Sequence, residues 1–275
     1  MPQAKKIFDC LRVPERTAKP RTNGLTMVEG DIKSAVVGMN WLHDLVAWGG
    51  DSIDLFKVNR HLMFQEPELV VSKLAFLKQH RIEPYLGGGI TEIAVQQGCV
   101  ERLWDQVMEL GIQVMEVSTT HLSCTMAQKV DWVRKARQRG FTVFVEIGKK
   151  RIGAPGGPKA RMPTSDVIEE MRACLNAGAF KLVYEYTEIV KLLEEDAGLD
   201  SLLEVAGAID ARNIMFEVPV APWKEVSPYV SLYIKHFGAN ANIGDVDPSH
   251  INQIEVDRCA FWSQGSASMP PNAAS

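Results

Sequence analysis

The chain has 275 residues, 46% of them hydrophobic, enough to bury a substantial core in one large domain or two smaller ones. A formal net charge of -4 and a pI near 5.9 leave no electrostatic footprint for nucleic acid or an anionic membrane. No apolar run reaches the roughly 18 residues that a membrane span needs.

Five cysteines (Cys10, Cys99, Cys124, Cys174 and Cys259) are odd in number, scattered and never in a CxxC pair. That pattern favours free thiols in a reducing compartment over a disulfide framework or a zinc cluster. The first residues, MPQAKKIFDCLRVPERTAKPR, lack the apolar run of a signal peptide, so a cytoplasmic location is expected.

Residues 1–23 are polar and proline-bearing and read as an arm or barrel lid. GLTMVEG is the first strand. From Asp31, a plausible N-cap, the residues Ile32, Val36, Met39, Leu42, Leu45 and Val46 recur at helical spacing, with Gly49-Gly50 as the stop. SIDLFKV is the second strand, and EPELVVSKLAFLKQH a helix with Pro67 in its first turn. IEPYLGGG is the third strand, ending in three glycines. ITEIAVQQGCVERLWDQVMELG is helical with a break at Gly98. IQVMEVS is the fourth strand and TMAQKVDWVRKARQRG the helix behind it.

FTVFVEIGKK is the fifth strand, apolar and β-branched until it delivers Glu146, Gly148, Lys149 and Lys150. KKRIGAPGGPKARMP is a long loop expected to be mobile, and Thr164 or Ser165 caps the helix SDVIEEMRACLNAG. AFKLVYEY is the sixth strand, followed by one or two helices over residues 188–209 that divide near Gly198. NIMFEVP, WKEVSPYVSLYIKHFG, NANIG and SHINQIEVDRCAFW supply the last two strands and their helices. The tail, residues 263–275, is small and polar and is expected to be disordered.

Strict alternation of eight strands with helices requires a parallel sheet with right-handed crossovers. The count selects an α/β fold of the closed (β/α)8 TIM barrel type over residues 24–262. Neither GxGxxG nor GxxxxGK[ST] occurs, which counts against a nucleotide-binding doubly wound sheet.

In such a barrel the active site lies at the carboxyl ends of the strands. Those ends carry Glu29, Lys57, Gly87–Gly89 with Glu92, Glu116 and Ser118, Glu146 with Lys149 and Lys150, Glu185 with Glu188, Glu217, and Asn242 with Asp245. Carboxylates with an amide suit Mg²⁺, an oxygen-seeking cation. Lysines and a glycine-rich turn suit a phosphate or carboxylate. The bland alternative is that each acid pairs with a neighbouring lysine and that the glycines make only a tight turn. Lys159 and Arg161 read as a solvated face, and His61, His121 and His250 as surface residues without metal-ligand spacing.

Together these segments resemble the phosphosulfolactate synthase family. KPRTNGLTMVEG is similar to that family's opening KPR-x-x-G stretch, YLGGGITEIAVQQG to its GGT turn, MEVST to its E-[VI]-S segment and VEIGKK to its E-V-G-x-K segment. FKLVYEYTE, IMFEVP and FGANANIGDVDPSHINQIEVDR follow in the same order, so the likeness spans about residues 19–262.

The resemblance implies a lyase that adds sulfite to phosphoenolpyruvate with Mg²⁺. It implies catalytic roles for Lys57, Lys149, Glu146 and Glu185, and metal ligation by Glu116, Glu146 and Glu217. Substrate would be bound by Gly88, Gly89, Ser118, Asn242, Gly244 and Arg258. A small-molecule substrate and a homo-oligomer are expected, with no nucleic-acid or membrane partner.

Three segments depart from the family pattern. FKVNRHL keeps only the lysine of a K-F-G-W-G-T turn, STT replaces S-D-G, and EYTE replaces E-x-R-E. They leave two alternatives open: a metal-independent isomerase or cyclase for a larger apolar metabolite, and a non-catalytic, stress-related binding protein.

Overall fold

In a computed structural model of the chain, the structure describes residues 16–30, 37–153, 155 and 157–259. Eight strands close into one barrel in sequence order: β1 (Thr26–Glu29), β2 (Leu55–Val58), β3 (Glu83–Leu86), β4 (Val114–Val117), β5 (Thr142–Ile147), β6 (Lys181–Tyr184), β7 (Ile214–Glu217) and β8 (Asn242–Val246). Every adjacent pair is parallel, and β8 returns to β1 through a register shift between Thr26 and Val28. The barrel expected from the alternation is the one that forms.

The helices between strands are α1 (Met39–Gly49), α2 (Pro67–Gln79), α3 (Gly88–Gln96), α4 (Val100–Glu109), α5 (Met126–Gln138), α6 (Thr164–Asn176), α7 (Tyr186–Leu193), α8 (Gly198–Ile209), α9 (Trp223–Phe237) and α10 (Ile251–Arg258). The expected breaks are real: α3 and α4 part around Gly98, which has φ +67°, and α7 and α8 part before Gly198. The expected cap of α6 is not. Thr164 is the first helical residue and Pro163 holds the cap position, its ring fixing a φ of -56° without any side-chain bond. A capping box instead starts α5, where Thr125 and Gln128 satisfy each other's backbone N–H groups. Asp31, Ile32, Val36, the end of the closing helix and the tail at 263–275 lie outside the described residues.

Two cores follow from the period of two along each strand. Outward residues such as Val28, Phe56, Met115, Val143 and Phe216 pack against the helices. Phe216, for example, stacks on Tyr233 and Phe237 of α9. Inward residues Leu25, Met27, Leu55, Tyr85, Val114, Phe144, Val183 and Met215 fill the barrel itself. Each such side chain, taken from water, contributes about 1.5–3 kcal/mol.

The arm closes the opposite end of the barrel from the strand tips. Lys19 donates to the carbonyls of Gly50 and Ile53, and Arg21 Nη1 donates to Asp54 Oδ1 at 3.1 Å. Of the arm or barrel lid expected for residues 1–23, the described part, residues 16–23, is an arm against the amino-terminal side of β2 and not a lid over the mouth.

Candidate active site

One pleat beyond the apolar layer, the inward positions turn polar. Two residues after Met27, Leu55, Val114, Phe144, Val183 and Met215 stand Glu29, Lys57, Glu116, Glu146, Glu185 and Glu217. Glu29 is the register partner of Lys57, whereas Glu116 and Glu146 stand opposite Phe144 and Val183; all six lie at or just past the carboxyl ends of their strands, at the mouth. The same alternation that builds the core therefore builds a charged layer on top of it.

Lys57 is the centre of that layer. Its Nζ lies 2.7 Å from Asp245 Oδ1, 3.6 Å from Glu29 Oε1, 3.6 Å from Glu116 Oε2 and 3.8 Å from Glu217 Oε1. Burial by itself would discharge the amine, but Asp245, Glu116, Glu29 and Glu217 hold its pKa well above the usual lysine range. A second amine comes from the loop after β5, where Lys150 Nζ lies 2.5 Å from Glu146 Oε1. Despite burial, Lys150 and Lys57 keep Glu146 below its ordinary carboxylate range.

The remaining acids outnumber these bases. Burial and Asp245 push Glu217 well above the ordinary range, burial raises Glu116, and burial with Glu146 nearby raises Glu185 to about 7. Glu146, Glu185 and Glu217 each bring a carboxylate oxygen within 4.8 Å of the others, all three residues being buried. Glu217 Oε1 is buried with no hydrogen-bond donor among the described residues. An excess of buried carboxyl groups, an all-oxygen donor set and an orphaned oxygen together fit a hard divalent cation such as Mg²⁺.

The three glycines have a different task. Gly88 opens α3 and its N–H donates to Glu116 Oε1 at 2.9 Å, while Tyr85 Oη donates to Glu116 Oε2 at 2.6 Å. A Cβ on Gly88 would stand 2.4 Å from Ser118 Cβ, so only glycine allows this approach. Ser118 in turn donates to Glu92 Oε1 at 2.5 Å. Glu92 is buried and also accepts from the backbone of Thr120 and His121 and from His121 Nδ1.

The structure brings Lys57, Glu116, Glu146, Glu185, Glu217, Gly88, Gly89 and Ser118 to the mouth, and it moves several other expectations. The close carboxylate trio is Glu146, Glu185 and Glu217, and Glu116, expected beside Glu146 and Glu217, instead accepts from Tyr85 and Gly88. Lys149 exposes its side chain and uses its backbone N–H on Glu188 Oε2 at 2.8 Å, so Lys150 is the lysine that enters. Counting in twos from Glu146 would have selected Lys150.

Asn242 and Arg258 lie at the floor, not the mouth. Asn242 opens β8 and bonds Leu25, Arg212 and Ile214, and Arg258 bonds the carbonyls of Ala239 and Ala241. Gly244 points into the barrel, where a Cβ would meet Met215 and Met27 at 3.0–3.1 Å, so its smallness serves packing. Arg161, read as solvated, makes a bidentate pair with Glu195, and buried Glu188 ties both Lys149 and Met162 of the loop. The Asp245 contact, Tyr85 and the His121–Glu92 pair had no sequence signal beyond position.

Comparisons with known proteins identify the family. The model of the (2R)-phospho-3-sulfolactate synthase family matches residues 14–264. Phosphosulfolactate synthase of Methanothermobacter thermautotrophicus is 28% identical over 257 residues, covering 91% of this chain and 94% of that protein. The enzyme of that name from Bacillus subtilis is 23% identical over 245 residues, covering 87% and 90%. Among solved structures, orotidine 5'-phosphate decarboxylase from Pyrococcus horikoshii OT3 has a TM-score of 0.53 at 12% identity, covering 85% of this chain and 99% of that one. That last likeness is one of fold.

Proposed function

The chain belongs to the phosphosulfolactate synthase family of lyases, and from that membership we propose that it adds sulfite to phosphoenolpyruvate, with Mg²⁺, to give phosphosulfolactate. The observation that carries the proposal is the buried trio of Glu146, Glu185 and Glu217 beside two protonated lysines at the barrel mouth. Mg²⁺ held by that trio would supply positive charge opposite the substrate's carboxylate oxygens.

The chain's own residues do the rest. Sulfite's sulfur forms a bond to the methylene carbon, and the double-bond pair moves to the neighbouring carbon and its carboxylate. That carbon then needs a proton. Lys150 is suited to give it: the Glu146 carboxylate keeps it charged, and its side chain is 30% exposed where substrate arrives. A positioned general acid contributes about 10²–10⁴-fold. Lys57 lies deeper, enclosed by carboxylates, and acts as a fixed positive charge that lets the acids share one site.

The test is incubation of the purified protein with phosphoenolpyruvate, sulfite and Mg²⁺, with product followed by phosphorus NMR. Turnover that disappears in Glu146→Gln and Lys57→Ala is expected. A wild-type protein that makes no phosphosulfolactate overturns the proposal.

One observation favours a second reading, a diverged paralogue acting without metal on a larger apolar metabolite. The turn after β2 exposes Phe64 to 84% and Met63 to 59%, giving the mouth an apolar flank. Metal-independent activity, with no response to phosphoenolpyruvate and sulfite, would select it.

A further inference from the structure

Three residues connect the trio to the rim of the mouth. Ser118 sits beside Glu146 and donates to Glu92, and Glu92 holds His121. Glu92 is 3% exposed, and its oxygens are fully used. Oε1 accepts from Ser118 Oγ at 2.5 Å, Thr120 N at 2.7 Å and Thr120 Oγ1 at 3.2 Å; Oε2 accepts from His121 N at 3.2 Å and His121 Nδ1 at 2.9 Å.

A carboxylate so bonded cannot swing away, and it can only accept. His121 Nδ1 therefore carries the hydrogen, and Nε2 carries the lone pair. The His121 side chain is 58% exposed, so a small anion arriving at the mouth can reach the ring. Thr120 Oγ1 lies 3.2 Å from His121 Nδ1, and Glu92 is the charged group that contacts the ring among the described residues. Anchoring the loop after β4 needs only the backbone bonds of Thr120 and His121. It does not explain an additional imidazole held in one tautomer by a buried carboxylate, an arrangement that orients a base and stabilises the imidazolium it forms.

We propose that His121, oriented by Glu92, is a further catalytic residue: the base that takes the proton from bisulfite as sulfur attacks. The assignment rests on the lyase reading. Near neutrality sulfite is partly bisulfite, and its dianion is the stronger nucleophile. The O–H bond of bisulfite breaks and its proton goes to Nε2. The sulfur pair forms the C–S bond, the double-bond pair passes to the neighbouring carbon, and that carbon takes the Lys150 proton. The imidazolium then returns one proton to Lys150 through water, so no proton or electron is left over. Glu92 is a positioning residue in this scheme.

The experiment compares wild type with His121→Gln, a change at an exposed side chain, and with Glu92→Gln. The pH profile of kcat/KM is the readout. His121→Gln is expected to lose about 100-fold at about pH 6, where bisulfite prevails, and to recover toward wild type at about pH 9, where the dianion is supplied by solution. Glu92→Gln should show the same alkaline recovery with a smaller loss. A wild-type profile in His121→Gln overturns the assignment.

A second measurement separates this from the lyase reading. In protein labelled with ¹⁵N-histidine, the His121 ring should show the Nδ1–H tautomer and shift on addition of sulfite alone. If wild type has no turnover with phosphoenolpyruvate and sulfite, the lyase reading fails. The histidine assignment is then decided by that shift: a sulfite-dependent shift supports it, and an unmoved ring overturns it.

Discussion

Lys57 Nζ and Asp245 Oδ1 meet at 2.7 Å across the β1–β8 seam, and Asp245 holds a left-handed φ of +56° at the seam's register shift. Such a backbone conformation costs a non-glycine residue about 1–3 kcal/mol and persists where the surroundings dictate it. Here the surroundings are an amine that four carboxylates share.

Removing that amine should make stability depend on pH. In Lys57→Met the acids facing it would hold protons in the folded state, their folded pKa values lying above the unfolded ones. Their contribution is then present at acid pH and lost as pH rises. Urea unfolding should show Lys57→Met about 3–5 kcal/mol less stable than wild type at pH 8 and closer to it at pH 5. An equal deficit at both pH values would contradict the shared-charge account.

Glu185 gives a related effect in the wild-type protein. Burial raises its carboxyl from 4.5 to about 7, so its contribution is full below about pH 4.5 and is lost as pH rises toward 7. The loss is on the order of 3 kcal/mol, and Glu185→Gln should remove it. The Mg²⁺ of the proposed function would have to displace that proton, so the melting-temperature rise it causes should be larger at pH 8 than at pH 6 and should vanish in Glu217→Gln. No Mg²⁺-dependent rise at pH 8 would remove the metal from the proposed function.

The adjacent lysines should separate cleanly. Lys150→Ala is expected to lower kcat/KM at least 100-fold, because its amine meets Glu146 inside the mouth. Lys149→Ala should stay within a few-fold of wild type, since its side chain is exposed and its structural bond is made by the backbone. Equal losses would show that the loop rearranges in turnover.

The glycine turn allows a steric test. Gly88→Ala places a methyl 2.4 Å from Ser118 Cβ and 2.7 Å from Glu116 Oε1, and should cost about 1–3 kcal/mol along with activity. Gly89→Ala meets nothing nearer than Arg60 Nη1 at 3.5 Å and should be neutral or slightly stabilising by thermal melting.

Much of the site could be read from residue spacing alone. Glu29, Lys57, Glu116, Glu146, Glu185 and Glu217 each follow an apolar strand residue by two, and that pattern needs no coordinates. Spacing misleads where a strand runs past its expected end or its alternation continues beyond it. β8, expected to stop at Gly244, runs on to Val246, which makes Asn242 its first residue and sends the amide to the floor. Past β5, Gly148 adopts φ +121° against Glu185 and Glu188, and the next inward residue is Lys150.

Local chemistry along the chain was sufficient for the barrel, its helix breaks and its layer of strand-end charges, because these follow from hydrophobic period and turn residues that each segment carries by itself. Only the closed tertiary structure decided which charges meet. Glu116 was drawn to Tyr85 and the α3 N-terminus, Glu185 joined Glu146 and Glu217, and Asp245 reached Lys57 across the seam where first and last strands join. Those pairings depend on distances between strands far apart in sequence, set by barrel closure and register, and no single segment encodes them.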